Sequence, residues 1–127
     1  MESKAHISEI HADLTNWVKE LVFYKDEVKT FQTRLEEVVN QNNKMDVLAE
    51  VEHFQNQFIR QLEVIDTLKH DFKQFENVLT ANVMANPVAS DHRQMAFPTE
   101  LIDQHDTFLK IYMELKTDFE KFLAKTY

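Results

Sequence analysis

"ISEIHADLTNWVKELVFYKDEVKTFQTRLEEVV", residues 7–39, is the stretch that decides the fold. Its apolar residues fall at Ile7, Ile10, Leu14, Trp17, Leu21, Tyr24, Val28, Phe31, Leu35 and Val38, in steps of three and four that alternate without a break. A strand would show a period of two. This is the heptad seam of a helix that lies along other helices. Val18 and Val39 widen the stripe on one flank. The helix is expected over about 4–41, with the Ser3 hydroxyl as its N-cap acceptor.

The same rhythm returns twice. After the polar stretch "NQNNKMD" at 40–46, the seam resumes at Val47, Val51, Phe54, Phe58, Gln61, Ile65, Leu68, Phe72, Phe75 and Leu79. Asp46 reads as the N-cap of this second helix, expected over 47–85, and Asn43 as a residue able to turn the chain in a left-handed conformation. The residue before Pro87 is pushed out of the helical region, so the helix should stop by Asn86. A third seam, Leu101, His105, Phe108, Tyr112, Leu115, Phe119 and Phe122, predicts a helix over 98–125 with Pro98 in its first turn. Between the last two lies a connection of about 86–97, long for neighbouring helices.

The chain has 127 residues, no glycine and only two prolines. Sheet proteins need tight turns at positive φ, where glycine is the residue of choice. A glycine-free chain is expected to run in long helices with few reversals. The sequence therefore predicts one all-α domain over 1–127. Its helices form an antiparallel up-down-up bundle, each roughly 50 Å long. A heptad period implies left-handed, coiled-coil-like supercoiling. In size, in helix count and in placing a tryptophan, Trp17, on the first seam, the bundle is similar to a spectrin-type repeat. The likeness is one of shape and implies no function.

Composition narrows the functional classes. Formal charge is −8, with Lys and Arg dispersed among acids, so neither a nucleic-acid interface nor an anionic membrane surface is expected. No apolar run is long enough to span a bilayer. The first residues, "MESKAHISEI", lack a basic start followed by an apolar block, so no signal peptide is expected and a cytoplasmic location is the default. With no cysteine, thiol chemistry and thiolate metal sites are excluded.

Candidate chemistry rests on a few polar residues. His105 occupies a seam slot meant for a hydrophobe, and successive helical residues are about 100° apart, so Asp103 and Asp106 should point away from it. Folding the three segments at residues near 44 and 90 sets His105 level with Leu14 and Phe75, with His11 and Asp71 as polar neighbours. Five of the six histidines fall in that half of the rod, so a histidine site, if the bundle has one, belongs there. His11, His105 and Asp71 thus form a candidate metal or small-ligand set. The simpler expectation is a buried histidine that hydrogen-bonds one neighbour and fixes register, as polar core residues do in coiled coils. Gln61, the polar member of the second seam, is read the same way.

Glu50 and His53 have the Glu-x-x-His spacing of di-metal bundles, but one copy without further inward glutamates does not make such a site. Asp66 with His70, and His6 with Glu9, are single pairs at ordinary helix spacing. "SDHR" at 90–93 is no triad, because sequence adjacency is not triad geometry. No cofactor and no enzyme activity are expected. The aromatic residues lie mostly on the seams and read as core.

Off-seam hydrophobes remain: Val22, Phe23, Ile59, Val64, Ile111 and Met113. Val22, Phe23, Ile111 and Met113 fall near mid-rod and predict an apolar strip for protein contact, with a second copy of the chain as the simplest partner. Val88, Met95 and Phe97 of the connection are a second candidate surface. The leading expectation is a non-enzymatic bundle that acts through protein–protein contacts, with self-association as a homodimer. The alternative is the histidine-based metal or ligand site.

Overall fold

The computed structural model describes residues 4–85, 94–96 and 99–126. Its elements in chain order are β1 (Lys4–His6), α1 (Ile7–Gln41), α2 (Met45–Ala85), β2 (Gln94–Ala96) and α3 (Thr99–Thr126). The helices form a three-helix bundle, as the three seams predict. Contacts along the rod give its direction. Phe31 meets Phe58, Lys25 meets Asp66 and His11 meets Glu76, so α2 descends as α1 rises. Trp17 lies against His105, Tyr24 against Tyr112 and Phe31 against Phe119, so α3 rises beside α1.

The seams are the core. Ile10, Leu14, Leu21, Val28, Leu35 and Val38 of α1 are buried against Val51, Phe54, Phe58, Ile65, Leu68, Phe72 and Leu79 of α2. Phe108, Tyr112, Leu115, Phe119 and Phe122 close it from α3. Trp17, Tyr24, Phe31, Val47, Phe75 and Leu101 are partly buried and pack on the same cluster. Toward one end an aromatic layer ties all three helices. Phe58 stands edge-on to Phe119 at 5.0 Å, and Phe31 lies 5.7 Å from the first ring and 5.2 Å from the second.

Three local expectations change. First, α1 begins at Ile7, because residues 4–6 pair antiparallel with 94–96, Ala5 opposite Met95. The connection is therefore partly extended backbone held against the start of the chain. Second, Asn43 does not adopt positive φ; no described non-glycine residue does. A left-handed residue is one way to satisfy the last helical carbonyls. Here Asn42 does it with its side chain, donating from Nδ2 to the Val38 carbonyl at 3.0 Å. Third, α2 starts at Met45, and the amide of Leu48 donates to the Lys44 carbonyl at 3.0 Å, which moves the cap ahead of Asp46. Ser3, Val88, Ser90, Phe97 and Pro98 lie outside the described residues.

The aromatic layer gives a direct test. Phe58→Ala should cost about 3–5 kcal/mol, the range for emptying a large buried aromatic site. Phe23→Ala, at a position 59% exposed, should stay within about 0.5 kcal/mol of wild type. Urea denaturation followed by circular dichroism reads both, and equal losses would contradict the assigned core.

Candidate functional site

His105 is buried, 3% exposed, between rings from both other helices. Trp17 of α1 lies with its ring centroid 5.4 Å away and Phe72 of α2 at 5.8 Å. Its nearest charged atoms are Glu20 Oε2, 4.0 Å from Nε2, and Asp106 Oδ1, 3.9 Å from Nδ1. Nε2 makes no hydrogen bond. Two expectations are corrected here. Asp106 is not turned away: a carboxylate on the next residue reaches round the helix to the ring's edge. The expected hydrogen bond is not made at Nε2 among the described residues, because the helices align one turn away from the expected level and a pair of rings occupies the space around the imidazole. Burial holds the His105 imidazole below its ordinary value, while Glu20 and then Asp106 pull it upward.

The proposed ligand set is not assembled. His11 Nδ1 lies 3.4 Å from Glu76 Oε1 on the α1–α2 side, and Asp71 lines a groove between α2 and α3. Among the described residues no three His, Asp or Glu side chains converge to hold a metal ion. Lys125 meets Glu50 at 3.0 Å, so the acid of the Glu-x-x-His pair serves a surface ion pair instead.

A polar cluster joining α1 and α3 lies at mid-rod. Buried Tyr112 donates its hydroxyl proton to Glu27 Oε1 at 2.6 Å, and Lys116 Nζ donates to Glu27 Oε2 at 3.2 Å. Burial, then the bond to Glu27, pushes the Tyr112 phenol far above its ordinary value. The neighbouring Tyr24 phenol is also raised, first by burial and then by Glu20 and Glu27. The two bonds to Glu27 fasten α3 to α1. The signal was a glutamate one step before the seam residue Val28, on the flank that meets α3.

The off-seam hydrophobes at mid-rod remain exposed, and the two on α3, Ile111 and Met113, border different hollows. Val22 is 42%, Phe23 59%, Ile111 45% and Met113 41% exposed. Val22 and Phe23 are successive helical residues and point about 100° apart. Met113 borders a shallow hollow with Glu114, Thr117 and Asp118. Ile111 instead belongs to the α2–α3 groove. Val64, expected among the off-seam residues, is partly buried in that groove against the core.

The groove has a volume of about 1010 Å³ and runs along α2 from Gln57 to Asp71 and along α3 from Thr99 to Ile111. Its apolar lining includes Val64, Leu68, Phe108 and Ile111. Arg60, which also meets Glu63 at 3.4 Å, and Asp71, Glu100 and Asp103 supply charge. Gln61 is set in the lining, 4% exposed, and no protein group donates to its Oε1. The sequence marked Gln61 as a polar seam position. It could not show the groove, whose lining also takes in Thr67 and Thr107.

Two substitutions test this description. In the unfolded chain His105 takes up a proton as pH falls through its ordinary value, whereas the buried ring resists until lower pH, so stability should fall over that window. Urea midpoints at about pH 7.5 and about pH 5.5 should diverge more in wild type than in His105→Leu; an equal fall in both would exclude the buried neutral ring. Gln61→Leu removes a buried acceptor that lacks a donor, and should leave stability unchanged or raise it by about 1–2 kcal/mol in the same assay. No protein-family model matches the chain, and no curated protein or solved structure shows significant similarity to it.

Proposed function

We propose that this protein is a non-enzymatic helical bundle that acts through protein–protein contacts, receiving a further helix in the groove between α2 and α3. The groove is the observation that carries the reading. It is long, it follows two helices, and it mixes an apolar lining with charged side chains. A fourth helix laid there would turn three helices into a four-helix bundle and cover Ile111 and Val64. Among the described residues, the buried groups with acid–base chemistry are engaged structurally: rings enclose His105, and Tyr112 is bonded to Glu27.

A second copy of the chain and a helix from another protein both answer this description. Photo-crosslinking in the native cell tests the reading for either. A crosslinking residue at Ile111 should give a discrete adduct, at twice the chain's mass or at another mass. The same residue at exposed Thr33, on α1, should give none. Failure to form an adduct at Ile111, Gln104 and Thr107 alike would remove the reading.

A further inference from the structure

The charge and floor of the groove select between occupants. Asp71, Glu100 and Asp103 outnumber Arg60, so the groove is acidic within a chain of formal charge −8. A second copy brings the same excess of acid to the contact, and like charges meeting across an interface oppose association. A basic partner gains from the same field, both in encounter rate and in specificity. The floor has its own demand. Gln61 is more than nine-tenths buried, with Oε1 unpartnered, and rotating its terminal amide presents that acceptor to whatever lies above. An apolar cover would leave the amide unsatisfied, whereas a side-chain donor would satisfy it. Length sets the third condition. From Gln57 to Asp71 a helix rises about 21 Å, which is about four turns of an occupant lying alongside.

Resting on the reading of the groove as a docking surface, we propose that its occupant is an amphipathic helix of about four turns from a different protein. This helix carries Lys or Arg where it meets Asp71, Glu100 and Asp103. Its buried face is apolar except for one hydrogen-bond donor opposite Gln61. Arg60, already met by Glu63 at 3.4 Å, lies toward the other end, so the acidic side chains fix the direction in which the helix lies.

The probes are two synthetic helical peptides of about sixteen residues with the same apolar face and one central Gln. One carries Lys at the end meant for the acidic side chains, and the other carries Glu there. Fluorescence polarisation should show the Lys peptide binding at least about tenfold more tightly than the Glu peptide, and weakening as salt is raised. Amide shifts on binding should fall on 57–71 and 99–111. The Asp71→Asn, Asp103→Asn double variant, with helicity unchanged by circular dichroism, should lose most of the preference for Lys. Gln61→Leu should bind better to a peptide with Leu in place of the central Gln.

Equal binding of the two peptides, or shifts spread away from the groove, would overturn the proposal. So would a Gln61→Leu variant with no change in preference. If neither peptide binds while light scattering shows a wild-type dimer that Ile111→Glu dissociates, the occupant is a second copy; the docking surface then stands and the basic-helix assignment falls. If the protein is monomeric and neither peptide binds, both fall.

Discussion

The edge-to-face contact of Phe58 on Phe119, with Phe31 against both rings, holds the three helices in one register. A helix that slipped by one turn would move about 5.4 Å along its neighbours. That distance is as large as the ring separations in this layer, so the slip would empty it. Once the layer is set, the other pairings follow along the rod. Tyr112 comes level with Glu27, Lys25 with Asp66, and His105 slides between Trp17 and Phe72. Apolar seams alone give helices a reason to associate but tolerate sliding. Large aromatic residues at matched heights convert that association into a single alignment.

The polar seam positions work within this alignment at some cost in stability. Gln61 and His105 each leave a buried polar atom without a hydrogen bond. A leucine at either place would bury more apolar area and leave nothing unsatisfied. The two residues differ in setting. Rings enclose His105, so it belongs to the interior of the bundle, whereas Gln61 sits in the lining of an open groove. An unsatisfied group in the lining of an open groove is a different matter from one sealed inside.

Much of the fold was legible because it depends on periodicity, which a sequence states outright. Of the seam positions from Ile10 to Leu79, each whose burial is described lies in the core or packs on it, and the third seam from His105 to Phe122 is buried throughout. Details that depend on competition between local options were less legible. Asn43 and Asn42 are chemically identical, and only the position of the last helical turn decides which one serves the free carbonyls. The pairing of 4–6 with 94–96 joins segments far apart in the chain that carry no strand-like alternation. His105's surroundings were misplaced by a turn, enough to exchange His11 for Trp17 and Glu20. The groove was least legible of all, since it is a volume left between two helices and no residue names it.

The link between α1 and α2 is only residues 42–44, while α3 is reached through a much longer path. Contacts between segments joined by a short link form at little loss of chain entropy, and those across long connections form at more. The first two helices can therefore zip together outward from their link as a hairpin. The third docks onto a surface already made. By this entropy argument both boundaries of α3, the groove between α2 and α3 included, close after the hairpin.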